Sequence, residues 1–224
     1  MATTTWFITG SDTGVGKTVL TTLLTRHLLA EGVHVRAVKP FCSGGRDDAE
    51  ALFAVQQGRV PLDEINPWHF RAPLAPLIAA RRERKRVALA EVTAFLRDAA
   101  RQCDVLLVEG AGGVLSPLGE GYSARDLITA LRARPLVACA DRLGAINQGL
   151  MALAALPPRI AGQARLVLSQ GFPADGSQPT NARILAELLG AGRVHTLPEV
   201  KPEELTGRLP APLRRRLATI VVTT

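Results

Sequence analysis

Short apolar segments rich in β-branched residues alternate with longer segments of helical periodicity along this chain of 224 residues. Such alternation is typical of a mostly parallel sheet whose two faces are covered by helices. We therefore expect a doubly wound α/β fold. The predicted strands are 6–9, 33–38, 105–108, 136–140, 165–169, 194–197 and 220–222. The predicted helices are 19–29, 88–100, 123–131, 146–156 and 180–189.

Composition limits the class of protein. Apolar residues make up 47% and charged residues 21% of the chain, enough for one substantial core, so one domain over residues 1–224 is expected. The sequence has no apolar run of the roughly 18 residues that a membrane helix requires. Its three widely spaced cysteines form no CxxC pair, which favours a reducing cytoplasm.

Segments 67–76 and 171–179, rich in Pro and Gly, are predicted to be surface loops.

The formal charge of +7 and the pI near 10.1 are compatible with a polyanionic partner. However, the basic residues concentrate in runs at 81–86 and 214–216, and such runs are usually solvated helix faces or loop edges. Aromatic residues are only 4% of the chain, whereas single-strand and RNA binders stack bases on rings. We therefore expect neither a nucleic-acid nor a membrane partner.

Each predicted strand runs into polar or glycine-rich sequence. Lys39 follows the second strand, Glu109 the third, Asp141 the fourth and Gln170 the fifth, while the first runs into the segment 10–18. Ligands of open parallel sheets bind beyond the carboxyl ends of the strands. The sequence therefore predicts a ligand site built from these strand ends.

The segment Gly10-Ser-Asp-Thr-Gly-Val-Gly-Lys17-Thr18 resembles a phosphate-binding P-loop. Its glycines let backbone N–H groups converge on phosphate oxygens at a helix N-terminus, Lys17 reaches the β- and γ-phosphates, and the Thr18 hydroxyl binds Mg²⁺. A plain glycine turn would account for Gly14 and Gly16. It does not account for a Lys-Thr pair at the start of an apolar helix, so we interpret the segment as nucleotide-binding.

Nucleotide-bound Mg²⁺ needs carboxylates, directly or through water. Glu109 is the first candidate, because it ends an apolar strand and precedes four small residues that let a ligand approach the backbone. Asp48 is the second, although Asp47 beside it competes and a helix-capping role is an alternative. Asp141 also ends a strand and is the weakest of these candidates.

Lys39 is a candidate catalytic cation. The chain has four lysines among 27 basic residues, and arginine would serve equally well at a solvated strand end. A compact ammonium is suited to a phosphoryl group in transfer, and Ser43 offers a hydroxyl nearby. The alternative is a surface lysine whose ammonium reaches solvent. The four histidines have no ligand spacing and are not expected to act as bases.

Four segments together resemble the dethiobiotin synthetase family, in the same order and at similar spacing. They are Gly10–Thr18, Lys39–Gly44, Val108–Gly113 with Pro117, and Leu143–Asn147. The resemblance implies a P-loop NTPase fold, a homodimer, and ATP and Mg²⁺ as co-substrate and cofactor. It implies that 7,8-diaminononanoate and CO₂ are converted to dethiobiotin through a carbamate and a carbamic-phosphoric anhydride, in the penultimate step of biotin synthesis.

The resemblance also implies roles for individual residues. It implies that Lys17, Lys39 and Thr13 are catalytic, that Thr18, Asp48 and Glu109 form the metal set, and that the substrate is bound by Thr13, Lys39, Ser43, Gly144, Ala145, Ile146 and Asn147, the last four from the other subunit. The implied nucleotide-binding residues are Gly14, Val15, Gly16, Lys17, Thr18, Val19, Asp48, Glu109, Gly110, Ala111, Gly112, Gln170, Gly171, Pro198, Glu199 and Val200. Gln170 stands where the family usually has asparagine.

Two other functions are compatible with a P-loop. An amidoligase related to cobyrinic acid diamide synthases normally carries a glutaminase domain, for which this chain has neither the length nor a Cys-His pair. A nucleotide-switch ATPase that positions DNA or proteins carries an extra lysine early in the loop, where this chain has Asp12. Both alternatives are therefore less favoured than the ligase.

Overall fold

A six-stranded parallel sheet forms the centre of the protein, with helices on both faces. The computed structural model describes residues 3–221, apart from the side chains at positions 202 and 203. The strands are β1 (Thr4–Gly10), β2 (Val35–Val38), β3 (Phe41–Ser43), β4 (Trp68–Phe70), β5 (Val105–Gly113), β6 (Pro117–Gly119), β7 (Tyr122–Ser123), β8 (Arg134–Ala140), β9 (Arg165–Ser169) and β10 (Val194–Leu197). The helices are α1 (Lys17–Ala30), α2 (Asp47–Val55), α3 (Leu62–Ile65), α4 (Pro76–Arg82), α5 (Leu89–Ala100), α6 (Ala124–Leu131), α7 (Ala145–Ala154), α8 (Pro158–Ala161), α9 (Gln178–Leu189), α10 (Pro202–Thr206) and α11 (Ala211–Ile220).

The strand order is β10-β9-β8-β1-β5-β2. The chain first builds β2 and β5 on one side of β1, and then builds β8, β9 and β10 on the other side. Ligands of open parallel sheets bind at the point where the strand order reverses, beyond the carboxyl ends. That crevice lies here at the ends of β1, β5 and β8, and the predicted doubly wound α/β class is confirmed.

The core lies on both faces of the sheet because side chains alternate along each strand. Trp6 and Ile8 of β1 pack with Leu20 of α1 in one buried cluster. Phe7 points to the opposite face and packs in a second cluster that includes Leu96 of α5. A strand buried on both faces has a continuous apolar sequence, which is why inner strands such as β5 and β8 are recognisable from sequence.

The five predicted helices are present as α1, α5, α6, α7 and α9, with ends shifted by at most two residues. Ser123 is the N-cap of α6 rather than its first residue, and it forms a capping box with Asp126. Helices α3, α4, α8, α10 and α11 were not predicted, and α2 was expected only as the helix that Asp48 could cap. Among the described residues, no helix is both long and apolar enough to cross a bilayer.

The predicted strand 220–222 is wrong where the structure describes it. Helix α11 runs through Ile220, and Val221 follows it outside any strand, while Val222 lies outside the described residues. Leu213, Leu217 and Ile220 are buried at helical spacing. Leu213, Leu217 and Ile220 therefore form the buried face of an amphipathic helix.

The segment 67–76, predicted to be a surface loop, contains β4. This strand pairs in parallel with β3, and the rings of Trp68 and Phe41 stack with centroids 5.3 Å apart. Phe70 is buried, and Pro76 begins α4. Aromatic packing therefore fixes this segment against the strand that follows Lys39.

Candidate active site

The loop between β1 and α1 has the backbone that its glycines predict. Gly14 has φ 72° and Gly16 φ 91°, in the left-handed region that glycine adopts without strain. A Cβ atom at Gly16 would also lie 3.0 Å from Oγ of Ser169. The loop thus turns tightly into the N-terminus of α1, where backbone N–H groups lack helical partners and suit a phosphate.

Lys17 is the first residue of α1 and is buried. Its Nζ donates a hydrogen bond of 2.8 Å to the carbonyl oxygen of Asp12 within the same loop. Burial and the nearby Lys39 cation lower the pKa of Lys17 to about 8. The ammonium is therefore poorly solvated and poorly compensated in the free protein, and an anionic ligand would stabilise it.

Thr18, Asp48 and Glu109 meet beside the middle of β5, where Glu109 is the fifth of nine residues. The Oγ1 of Thr18 lies 2.8 Å from Oδ1 of Asp48 and 2.8 Å from Oε1 of Glu109. Glu109 is completely buried, whereas Asp48 is partly exposed on the first turn of α2. Three distant parts of the chain therefore place a hydroxyl and two carboxylates at one point beside the P-loop.

Lys39 lies in the same cluster. Its Nζ donates to Oδ2 of Asp48 at 2.7 Å, to Oε1 of Glu109 at 2.6 Å and to the carbonyl oxygen of Gly110 at 3.3 Å. Burial alone would lower the pKa of Lys39, but the two carboxylates outweigh it and raise the pKa above its ordinary value. The residue is 4% exposed, so the surface-lysine alternative is wrong.

The cluster has the donor set that Mg²⁺ prefers. A single hydroxyl proton on Thr18 can satisfy only one of the two carboxylate oxygens at 2.8 Å at a time. Oε2 of Glu109 is buried without a hydrogen-bond partner among the described residues. These oxygens fit a hard cation that shares its shell with water and phosphate. No group of three or more His, Cys, Asp or Glu residues suited to a metal occurs in the described part of the chain.

A cavity of about 870 Å³ opens beside this cluster. Its lining includes eleven of the predicted site residues: Thr13, Gly14, Gly16, Lys17, Thr18, Val19, Lys39, Ser43, Asp48, Ala111 and Gly112. Val15 is a buried residue of the loop, and the carbonyl oxygen of Gly110 accepts a hydrogen bond from Lys39. The structure thus brings the predicted residues of the P-loop together with Lys39 at the end of β2 and with Ser43.

The other predicted residues do not line this cavity. Gln170 and Gly171 follow β9, and residues 198–200 follow β10, on the far side of β1. Gly144, Ala145, Ile146 and Asn147 form the start of α7, where Gly144 is the N-cap with φ 94°. Asp47 is exposed and makes no contact with Thr18 or Lys39, so the geometry selects Asp48 over Asp47.

Eight lining residues were not among the predicted site residues: Phe41, Cys42, Gly45, Pro73, Leu74, Ala75, Pro76 and Ser116. Phe41 and Cys42 belong to β3 and line the cavity beside Ser43, and Ser116 lines it near Gly112. Ser116 Oγ accepts the Gly113 N–H at 2.8 Å, which folds the glycine run back on itself. The only sequence feature that could have indicated Ser116 is its position three residues after Gly113, which is typical of a turn.

A loop with this sequence and backbone, at the switch point of a parallel sheet, defines a P-loop nucleotide-binding protein. The chain is 37% identical over 217 residues to the ATP-dependent dethiobiotin synthetase BioD of Anaeromyxobacter sp. (strain Fw109-5), over 95% of this chain and 96% of that protein. The chain belongs to the family of ATP-dependent dethiobiotin synthetases. It is also 37% identical over 147 residues to the enzyme of the same name from Bacillus subtilis, over 63% and 64% of the two chains. A family model described as an AAA domain matches residues 4–211.

Solved structures show the fold alone. A ParA family ATPase from Chlorobium tepidum aligns with a TM-score of 0.62 at 13% identity, over 99% of both chains. The MinC:MinD cell division protein complex of Aquifex aeolicus aligns with a TM-score of 0.60 at 15% identity, over 96% of this chain and 93% of that one. Asp12 is the third residue of the loop segment 10–18. Its carboxylate accepts the N–H of Thr13 at 2.7 Å.

Proposed function

We propose that this protein closes the ureido ring of dethiobiotin from 7,8-diaminononanoate and CO₂ at the expense of ATP, in the penultimate step of biotin synthesis. The observation that carries the proposal is the placement of Lys39, 2.6 Å from Glu109 and 2.7 Å from Asp48. Those carboxylates also contact the P-loop hydroxyl of Thr18. A nucleotide switch does not require a second buried cation at this place, whereas a phosphoryl acceptor such as a carbamate does.

The reaction divides into three bond exchanges. One amine nitrogen of the diamine attacks CO₂ and loses a proton, which gives a carbamate. A carbamate oxygen attacks the γ-phosphorus, and the bond to the leaving oxygen of ADP breaks. The second amine then attacks the carbamate carbon, phosphate leaves with the carbon–oxygen bond pair, and the amine proton passes to solvent.

The chain supplies charge and position rather than a nucleophile. Lys17 and Lys39 would neutralise the carbamate and the transferring phosphoryl group, with Thr13 and Ser43 orienting the carbamate from the cavity wall. Burial raises the pKa of the Cys42 thiol to about 11, so that thiol is unsuited to attack. The three cysteines are free and buried, which supports a reducing cytoplasm as the compartment.

We propose that Thr18, Asp48 and Glu109 hold Mg²⁺, which when bound would offset charge on the nucleotide phosphates. The phosphates would lie on residues 14–19 and against 110–112. The base would then point toward the other flank of the loop, where Gln170, Gly171, Pro198, Glu199 and Val200 follow the ends of β9 and β10.

Exchange of Asp48 for asparagine is expected to raise the Mg²⁺ concentration for half-maximal activity about tenfold, because a ligand oxygen loses its charge. The neighbouring Asp47→Asn is a matched control, since Asp47 is exposed and lies outside the cluster. Its Mg²⁺ requirement should change less than about twofold. Titration of Mg²⁺ at saturating ATP distinguishes the two variants. An equal response of both would contradict the metal assignment.

We propose that a homodimer completes the substrate site, with residues 144–147 reaching the partner's cavity. Exposed apolar side chains on the same part of the molecule support this. Leu143 is 80% and Met151 64% exposed, and the Asn147 amide lies 3.3 Å from the sulfur of Met151. Burial of such side chains against a second copy would stabilise the association.

Met151→Asp is therefore expected to weaken the dimer, because it would bury a carboxylate without a partner. The dimer dissociation constant should rise by at least about tenfold, measured by analytical ultracentrifugation. Leu188→Asp serves as control, because Leu188 is similarly exposed, at 61%, but lies on α9. A dimer that is unchanged in the Met151 variant would place the interface elsewhere.

The experiment that tests the proposed function is phosphate release with ATP, Mg²⁺ and bicarbonate, in the presence and absence of 7,8-diaminononanoate. A monoamine analogue is the matched control, since it forms a carbamate but cannot close the ring. Release is expected to depend on the diamine. ATP hydrolysis that ignores the diamine would favour the nucleotide switch.

A further inference from the structure

Asp141 lies at the end of β8, on the flank of the P-loop opposite Lys39, and is completely buried. Both of its carboxylate oxygens accept a hydrogen bond from a side-chain amide. Oδ1 accepts from Nδ2 of Asn181 at 2.9 Å, and Oδ2 accepts from Nε2 of Gln170 at 3.2 Å. Asp141 was a weak metal candidate in the sequence, but these contacts make it the centre of an amide network instead.

The orientation of the Asn181 amide is fixed independently of Asp141. Its Nδ2 also lies 3.2 Å from the carbonyl oxygen of Arg142 and 3.1 Å from Oγ of Ser177. A backbone carbonyl only accepts hydrogen bonds, so the nitrogen of Asn181 must face this group. Oδ1 of Asp141 therefore always meets an N–H donor.

Asp141 in turn fixes the Gln170 amide. A carboxylate accepts and does not donate, so Nε2 of Gln170 must face Oδ2, and Oε1 is turned away from it. The backbone N–H of Gln170 donates to the carbonyl oxygen of Leu197 at 2.9 Å. The residue is thus held between the ends of β9 and β10 and presents an acceptor to any ligand beyond them.

The nucleotide base of the proposed function would approach this acceptor. The Lys39 cluster lies on the β5 side of the loop. In the proposed function the γ-phosphate would therefore lie on that side, and the base would extend toward β8 and β9. Ser169, the residue before Gln170, packs closely against the P-loop, because a Cβ atom added to Gly16 would lie 3.0 Å from its Oγ. Gln170 therefore borders the P-loop on the flank where the base emerges.

We infer that Asp141 is a positioning residue that holds the Gln170 amide with its oxygen toward the nucleotide base, and so selects a base with an exocyclic amino donor over one with a keto oxygen. This inference rests on the proposed function for the side on which the base lies. An amino group on the base would donate a hydrogen bond to Oε1 of Gln170. A keto oxygen would instead place two acceptors against each other, with no proton between them.

Asp141→Asn gives a test with a defined direction. The new amide must turn its oxygen to the fixed nitrogen of Asn181, so its NH₂ faces Gln170. Gln170 then turns its oxygen inward and presents NH₂ to the base. The preference should move from the amino base toward the keto base, while a role in packing alone would weaken both nucleotides equally.

The measurement is calorimetric binding of ADP and IDP, whose bases differ at the amino or keto group, to the wild-type chain, D141N, Q170A and the double variant. We expect the dissociation constant for IDP divided by that for ADP to fall about tenfold in D141N and in Q170A. D141N should add nothing in the Q170A background. Q170A carries the test alone if D141N does not fold. An unchanged ratio in either folded variant, or an equal loss for both nucleotides, would overturn the inference.

Binding of diphosphates does not depend on turnover. Wild-type protein that prefers ADP but shows no diamine-dependent phosphate release would contradict the ligase function and leave the role of Asp141 supported. Diamine-dependent release together with an unchanged ratio in D141N would support the ligase and contradict the role of Asp141.

Discussion

Lys39→Gln is expected to lower kcat by about 10²–10³-fold while leaving the dissociation constant for ADP nearly unchanged. The glutamine side chain has similar shape but no charge to offset a carbamate or a phosphoryl group in transfer. Because Lys39 is the cation between Asp48 and the fully buried Glu109, its loss should also lower the free energy of unfolding by roughly 3 kcal/mol.

Steady-state kinetics, ADP calorimetry and denaturant unfolding of the same preparation separate these effects. Lys85→Gln is the matched control. Lys85 also forms an ion pair, at 2.8 Å from Glu83, but its side chain is 56% exposed, so turnover and stability should change little. Near-normal turnover in folded Lys39→Gln would contradict the role assigned to Lys39.

Lys17→Met is expected to raise the dissociation constant for nucleotide by at least about 100-fold, because the ammonium that reaches the phosphates is lost. Unlike Lys39→Gln, the Lys17→Met substitution should not lower the free energy of unfolding. Burial, followed by repulsion from Lys39, lowers the pKa of Lys17 from 10.5 to about 8, so the charged form is disfavoured in the folded protein. The variant should therefore be at least as stable as the wild type at pH 7.

The sign of the pH dependence follows from that pKa. Between pH 8 and 10.5 the unfolded chain holds the Lys17 proton and the folded chain releases it, so the free energy of unfolding rises with pH in this window. The gain is at most roughly 3 kcal/mol. Denaturant unfolding at several pH values should show this rise in the wild type and in Lys85→Met but not in Lys17→Met. A rise of the same size in all three proteins would contradict the assignment.

The inner sheet strands were predictable because both of their faces are buried, which leaves continuous apolar runs such as 105–108. The same pattern led to the wrong prediction at residues 220 and 221. Ile220 is the last residue of the amphipathic helix α11 and Val221 follows it, and so short an apolar run does not reveal a helical period. Strand β4 was missed because prolines flank it, and its pairing with β3 depends on the stacking of Trp68 on Phe41, a long-range contact.

For the candidate site, the residues at strand ends could be named from the sequence, but the contacts between their side chains could not. Contact between Lys39 and Glu109 requires β2 to lie beside β5, although about 70 residues separate them in sequence. The choice of Asp48 over Asp47 depends on the phase of the short helix α2. Asp141 was recognisable as polar, yet its amide partners come from the residue after β9 and from α9.

The most direct test of the ligase reaction is the molar ratio of dethiobiotin to phosphate, formed from ¹³C-bicarbonate, ATP and 7,8-diaminononanoate and followed by mass spectrometry. We predict one dethiobiotin carrying one ¹³C atom for each phosphate released. Phosphate released in excess without labelled ureido product would contradict the account.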